Sequence, residues 1–266
     1  MGERIKVACI QMDCESGNVK ANLIKAGKML AKAREKGAML AVLPELFNVG
    51  YKLDILKSLD YDFCGTTAEI SKLSKELDIH IAAGVFEKCD GRYYNSVVVY
   101  NNNGELIEKY KKINLFSLSN EKEIFIPGNE IKTFNIKSFK FGILICYDIR
   151  FPELSRKYLN AGCSALIISS AFPFPRLEHW NTLLKARAIE NQVYVIASNR
   201  VGKDGDMQFL GNSCVIDPWG NVLIKKDETE EDVLVHDIST DEVERVRTFI
   251  PCIDDKIRLE SVLMKY

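Results

Sequence analysis

Gly142-Ile143-Leu144-Ile145-Cys146-Tyr147-Asp148-Ile149-Arg150-Phe151-Pro152-Glu153-Leu154 is the stretch on which the reading of this chain turns. An apolar run of strand type stops at a cysteine, a polar turn follows, and Pro152 stands where the first residue of a helix belongs. This places Cys146 at the carboxyl end of a buried strand and just ahead of a helix N-terminus. In open α/β sheets that is the end where ligands bind. The partly positive backbone there gives a thiol a reason to become a thiolate. Free cysteines are also among the most buried residues, so the segment alone leaves nucleophile and inert core residue both open.

Two other segments repeat the geometry. Leu40-Ala41-Val42-Leu43-Pro44-Glu45 sets a carboxylate directly past a buried strand, and Tyr110-Lys111-Lys112-Ile113-Asn114-Leu115-Phe116 sets lysines at the end of another. Singly, Glu45 reads as a solvated loop residue and Lys112 as a surface lysine. Together, three reactive groups at three strand ends of an α/β protein point to a site. Lys111 and Lys112 are adjacent, and successive strand side chains point oppositely, so one of them faces outward.

Around these segments helices and strands alternate. Strands are predicted over 5–12, 39–43, 80–87, 94–101, 106–110, 131–135, 140–145, 165–169, 193–198, 213–217, 222–225 and 232–237. Helices are predicted over 19–36 with Asn18 as N-cap and Gly37 as terminator, then over 67–77, 152–161, 177–191 and 241–248. Asn101-Asn102-Asn103-Gly104 signals a hairpin. Many strands are joined by hairpins, so the sheets are expected to be mixed. Their number favours two packed sheets with helices outside.

Nothing divides the 266 residues: there is no long linker, repeat or low-complexity tract, so one domain over 1–266 is expected. Lys and Arg number 36 against 37 Asp and Glu, without a basic block, which argues against nucleic acid or an anionic membrane as partner. No apolar run approaches bilayer-spanning length, and a strand pattern begins right after Met1-Gly2-Glu3-Arg4, leaving no room for a signal peptide. The eight scattered cysteines then read as reduced thiols, and the cytoplasm as the expected location. There is no C-x-x-C pair, and His80, His179 and His236 lack ligand spacing, so no metal site is expected.

On these motifs the chain resembles the nitrilase superfamily of carbon–nitrogen hydrolases. The resemblance runs through Pro44-Glu45-Leu46-Phe47, Gly50-Tyr51, Lys112-Ile113-Asn114-Leu115-Phe116, Phe125-Ile126-Pro127-Gly128 and the Cys146 segment. It continues in Ala186-Arg187-Ala188-Ile189-Glu190-Asn191 and Asp217-Pro218-Trp219-Gly220, all in the family's order. It implies a four-layer αββα sandwich of two mixed sheets with outer helices. It also implies a Glu-Lys-Cys triad, here Glu45, Lys112 and Cys146, and a further glutamate, which the spacing to Pro127-Gly128 puts at Glu121 rather than Glu123. One residue departs: the family usually has His where this chain has Asn114, which leaves room for an orienting role and none for proton transfer.

The implied chemistry is hydrolysis of an amide through a thioester. Glu45 takes the thiol proton, and Cys146 attacks the amide carbon. The Lys112 ammonium and the Tyr147 backbone N–H hold the oxyanion, and Glu45 returns the proton to departing ammonia before activating water. No metal, nucleotide or redox cofactor has a part. Ala171-Phe172-Pro173-Phe174-Pro175-Arg176 and Asn199-Arg200-Val201-Gly202-Lys203-Asp204-Gly205 look like the omega-amidase branch, whose members hydrolyse 2-oxoglutaramate and 2-oxosuccinamate. Arg176, in a loop that opens a helix, suits a substrate carboxylate, unless it makes a structural ion pair. Tyr51 is expected to line the pocket, and Arg150 and Glu153 to brace the nucleophile turn by pairing.

Other branches, an N-carbamoyl amine amidohydrolase or a nitrilase, are the nearest alternatives. A Cys-His hydrolase has no histidine at a strand end to serve it. A non-enzymatic scaffold would make the triad an accident. The resemblance implies a homodimer, with the apolar tail over 246–266 reaching across the partner.

Overall fold

The computed structural model of the chain describes residues 2–255. In chain order its elements are β1 (Arg4–Gln11), α1 (Val19–Glu35), β2 (Leu40–Val42), α2 (Phe63–Glu76), β3 (His80–Cys89), β4 (Arg92–Tyr100), β5 (Leu106–Lys111) and the single turn α3 (Glu121–Ile124). Then come β6 (Thr133–Ile136), β7 (Phe139–Ile145), α4 (Pro152–Asn160), β8 (Ala165–Ser170), α5 (Leu177–Asn191) and β9 (Tyr194–Asn199). The chain continues with β10 (Val201–Asp204), β11 (Met207–Leu210), β12 (Cys214–Ile216), β13 (Val222–Lys225), β14 (Asp232–Ser239) and α6 (Thr240–Phe249). Three 3-10 turns, Leu53–Ser58, Ser117–Ser119 and Cys146–Arg150, lie between them.

Two six-stranded sheets carry the fold, in the orders β14-β1-β2-β3-β4-β5 and β13-β12-β9-β8-β7-β6. Each has three parallel strands, β1, β2 and β3 in one and β7, β8 and β9 in the other, flanked by antiparallel ones. Both faces of each sheet are covered. Along β1 and β2, Val7, Cys9, Leu40 and Val42 pack toward the second sheet, against Phe141, Ile143 and Ile167. The alternate residues Ala8, Ile10, Ala41 and Leu43 pack with Ala26 and Leu30 of α1 and Ile70 of α2. On the far side Leu154 and Tyr158 of α4 and Trp180, Leu184 and Ala188 of α5 join the second sheet's core. This is the expected αββα sandwich of mixed sheets. The parallel strands bring the carboxyl ends of β2, β7 and β8 to one edge of the sandwich, with that of β5, which runs with them.

Local signals explain most boundaries. Asn18 accepts the Ala21 N–H at 3.1 Å and opens α1, and Gly37 at φ +86 closes it. Helix α2 begins at Phe63, four residues before the expected start, because the Thr67 hydroxyl bonds back to the Phe63 and Cys64 carbonyls instead of capping. The hairpin β10–β11 was not expected: four-residue strands built on Val-Gly-Lys-Asp carry no alternation to read. Among the described residues no helix is long and apolar enough to cross a membrane. The expected tail spans 246–266, and residues 256–266 of it lie outside the described residues.

Candidate active site

Glu45, Lys112 and Glu121 meet in a dry cluster, each wholly or almost wholly buried. Lys112 Nζ donates to Glu45 Oε1 and to Glu121 Oε1, both at 2.7 Å. Glu45 is further held by Asn95 Nδ2 at 2.7 Å on Oε1 and by the Ala171 N–H at 2.8 Å on Oε2. Glu121 takes the Phe116 N–H at 2.8 Å on Oε2 and the Tyr51 hydroxyl on Oε1. Every one of these groups has been taken out of water, which is tolerable only because each is paired and hydrogen-bonded.

Two glycines permit the approach. Gly84 of β3 lies under the Glu45 backbone, where a Cβ would come within 2.5 Å of the Pro44 carbonyl and 2.7 Å of Glu45 Cα. Gly128 lies against Lys111, where a Cβ would fall 2.2 Å from the Lys111 carbonyl oxygen, and its N–H holds the Lys112 carbonyl at 2.8 Å. The Pro127-Gly128 motif therefore fixes the backbone that aims Lys112. Lys111 turns the other way, with Nζ 3.4 Å from the centre of the Tyr94 ring.

Cys146 faces this cluster from the end of β7. Its φ is +42, a left-handed conformation that costs a non-glycine residue energy and persists only when the surroundings enforce it. They do. Asp148, buried two residues on, accepts the Ile145 N–H at 3.0 Å, the Tyr110 hydroxyl at 2.8 Å and the Asn114 N–H and side-chain amide at 2.9 and 3.0 Å. From α5, Arg187 donates to the Ile149 carbonyl at 2.8 Å and pairs with Glu190 at 2.7 Å. Asn114 thus orients the turn that carries Cys146, and the Arg187-x-x-Glu190 motif buttresses it from α5. The turn is 3-10, so Cys146 opens a short turn of its own, and α4 with Pro152 at its first position follows only later.

The electrostatics correct one expectation. The Cys146 thiol is raised well above the ordinary cysteine range, by burial first and by the Glu45 carboxylate second, with Lys112 and the Ser170 hydroxyl opposing. Burial and the Glu45 carboxylate thus act against the thiolate that the backbone environment was expected to favour. Burial alone would push the Lys112 ammonium down, but Glu121 and Glu45 together hold it above the ordinary lysine value. Glu121 is raised, chiefly by burial and by Glu45, against the pull of Lys112. The arrangement sets the Lys112 amine between two glutamates and beside the Cys146 thiol.

The remaining residues lie around this centre. The Tyr147 ring packs on Phe116 at 4.9 Å and on Phe151 at 5.3 Å between centroids. Arg176 caps the start of α5 with its guanidinium 5.6 Å from the Phe116 ring centre, and it makes no ion pair among the described residues. Tyr51 lines a cavity with Ser119, Asn120 and Asp204, and its hydroxyl donates to Glu121 Oε1, with Ser119 Oγ 3.2 Å away. Arg150 does not pair with Glu153: it reaches His179 Nδ1 at 3.2 Å and lies over the Phe172 ring. Asp217-Pro218-Trp219-Gly220 is a turn in which Asp217 Oδ1 accepts two backbone N–H groups. Asn95 and Asp148 were missed. Both are polar residues interrupting apolar stretches, the one signal that could have found them. Among the described residues no group of three His, Cys, Asp or Glu side chains could hold a metal ion.

A model of the carbon-nitrogen hydrolase family matches residues 6–248. The chain is 39% identical to the 2-oxoglutaramate amidase of Bacillus subtilis, over 94% of this chain and 96% of that one. It is 34% identical to the omega-amidase NIT2 of Mus musculus, over 94% of each. Among solved structures, Nit3 of Saccharomyces cerevisiae, a member of branch 10 of the nitrilase superfamily, superposes with a TM-score of 0.87 at 30% identity, over 94% of this chain and 95% of that one. A carbon-nitrogen hydrolase from Helicobacter pylori gives 0.90 at 27%, over 97% and 96%.

Proposed function

This chain belongs to the carbon–nitrogen hydrolase family and is an amidase, and from that premise we propose that it cleaves the omega-amide of a small 2-oxo acid, 2-oxoglutaramate or 2-oxosuccinamate, through a thioester on Cys146. The observation that carries the mechanism is the convergence of Lys112 on Glu45 and Glu121 opposite the thiol. Glu45 accepts the Cys146 proton as sulfur attacks the amide carbon. Two of the three Lys112 N–H donors are committed to the carboxylates, and the third serves the oxyanion together with the Tyr147 N–H. Collapse breaks the C–N bond while Glu45 returns its proton to nitrogen, and ammonia leaves. Water, deprotonated by Glu45, then cleaves the thioester, releasing the carboxylic acid and restoring the thiol.

The substrate reading is supported by the similarity to 2-oxoglutaramate amidase and omega-amidase and by Arg176, a half-buried cation over Phe116 without a carboxylate partner among the described residues. Phe116 in turn gives its N–H to Glu121, so a carboxylate on Arg176 would lie near the cluster. Ammonia release from 2-oxo-amides, simple amides, ureido acids and nitriles tests the assignment. Arg176→Ala is expected to raise KM for 2-oxoglutaramate by about ten- to a hundredfold, the worth of a charge-assisted contact of roughly 1.5–3 kcal/mol, and to leave a small neutral amide nearly untouched. Equal loss on both would make Arg176 structural.

The same reading includes one domain and a homodimer. Ile189 on α5 and Phe249 and Ile250 at the end of α6 are exposed apolar residues, Phe249 at 74%, and Phe249 packs edge-on against Trp219. They suit a face shared with a second copy, and light scattering at micromolar concentration should return about twice 30.1 kDa. A fully active monomer would remove the dimer. Eight free cysteines, five of them buried, suit a reducing compartment such as the cytoplasm.

A further inference from the structure

Arg200 is the largest charged side chain hidden in the fold, fully buried in the one-residue joint between β9 and the β10–β11 hairpin. Its Nη1 pairs with Asp204, its Nη2 reaches Asp13 at 3.0 Å and the Cys14 carbonyl at 2.9 Å, and its guanidinium lies 4.3 Å from the Phe209 ring centre. Buried ion pairs are poor sources of stability compared with apolar packing of the same volume, so this one calls for another use. The use is visible in what Asp204 and Phe209 touch. Asp204 Oδ2 accepts the Tyr51 backbone N–H at 2.5 Å, and Oδ1 takes the Ser16 hydroxyl. Phe209, under the guanidinium, meets the Tyr51 ring edge-on at 5.8 Å. Gly202 allows the hairpin this close to Asp13, since a Cβ there would stand 2.0 Å from the Asp13 carboxylate.

Tyr51 is thus pinned at its backbone and its ring, and its hydroxyl ends on Glu121 Oε1, the oxygen that also receives Lys112 Nζ. Glu121 needs such a partner. It begins a four-residue helix, too short to be stable by itself, preceded by Asn120 in a left-handed conformation, so the carboxylate depends on its tertiary partners, Tyr51 with the Phe116 N–H and Lys112. We propose that Arg200 and Asp204 are positioning residues for the reaction: they set Tyr51, Tyr51 sets Glu121, and Glu121 keeps the Lys112 ammonium aimed at the developing oxyanion. This rests on the reading of Lys112 as the oxyanion donor.

A double-mutant cycle on the full-length enzyme tests it, with Tyr51→Phe, Asp204→Asn and the pair, assayed for kcat and KM on 2-oxoglutaramate and for Tm. Each single change is expected to lower kcat by about tenfold with KM within about twofold, because the lost interaction serves the transition state. The double variant is expected to be no worse than the poorer single one, since both remove the same restraint. Losses that multiply to about a hundredfold, or an Asp204→Asn enzyme with lowered Tm and wild-type kcat, would overturn the proposal. If Asp204→Asn does not fold, Arg200→Lys replaces it, keeping the charge and losing the two-pronged reach. Lys112→Met in the same assay separates the two levels. An active Lys112→Met enzyme removes the oxyanion reading itself, whereas an inactive one beside a multiplicative cycle removes only the chain from Arg200 to Glu121.

Discussion

Thiols are buried in two different settings in this sandwich. Between the sheets, Cys9 of β1 points Sγ at the Cys214 carbonyl of β12, 3.4 Å away, in an apolar core. Burial pushes the Cys214 thiol up to about 12 and the Cys9 thiol well above its ordinary range. At the strand ends, Cys146 is raised by burial as well. Desolvation therefore does not distinguish a nucleophile from a filler. The difference is in what faces the sulfur. Cys146 has the Glu45 carboxylate and the Lys112 ammonium beside it, which on the proposed mechanism take its proton and hold the oxyanion, and a backbone turn held in a left-handed conformation by Asp148. Cys9 has the Cys214 carbonyl and an apolar core, and neither Cys9 nor Cys214 has a carboxylate among the groups that shift it. Reactivity here is a property of the neighbours, not of the thiol.

The comparison is broken most directly by exchanging the thiols for alanine. Cys146→Ala is expected to abolish turnover without unfolding the chain, and mass spectrometry of quenched wild-type enzyme should find an acyl adduct on the Cys146 peptide. Cys214→Ala is expected to keep kcat within about twofold and to cost about 1 kcal/mol of stability, a Tm lower by roughly 2–4 °C. An active Cys146→Ala enzyme, or a Cys214→Ala enzyme that folds and has lost turnover, would erase the distinction.

What the sequence offers toward that distinction is positional. Cys9 sits inside its apolar run, Val7-Ala8-Cys9-Ile10, and Cys146 ends one, with Tyr147-Asp148 after it. Glu45 and Lys112, which the structure brings together, stood out for the same reason, as charges placed where a buried strand stops. The partners that hold them were not. Asn95 and Asp148 act across 50 and 38 residues of chain, on Glu45 and Tyr110, and no local period reports contacts of that reach. The β10–β11 hairpin escaped because its strands are only four residues long and carry no alternation to read. Nor could the sequence weigh the positive end of a turn against the burial of the same sulfur, which push its pKa in opposite directions, because burial is set by the packing.

Next in size are the charges around Cys146. Glu45→Gln and Lys112→Met are each expected to lower kcat by about a hundredfold or more, since each removes a group that acts in the transition state. Lys111→Met should be mild, because its ammonium rests on the Tyr94 ring, a contact worth about 0.5–1 kcal/mol at an exposed site. An essential Lys111 would move the oxyanion donor one residue along the strand and out of the cluster.

The smallest effect is the most specific, because it reads the thiol without turnover. The Glu45 carboxylate is the second cause that raises the Cys146 thiol, and Lys112 opposes it. Neutralising residue 45 as Gln removes the negative charge and leaves the ammonium, so the thiol must titrate at lower pH, by roughly a unit or more for groups this close. Lys112→Met must move it the other way. Iodoacetamide alkylation followed against pH on the Cys146 peptide gives the inflection, and peptide resolution is needed because Cys64, Cys89 and Cys252 are exposed and will react too. Glu45→Gln would then be the slower enzyme with the more acidic thiol. That combination separates a proton acceptor from a group that merely activates the sulfur by charge. An inflection that stays in place in Glu45→Gln would mean that the carboxylate does not face the thiol, and Cys146 would belong with Cys9 and Cys214 after all.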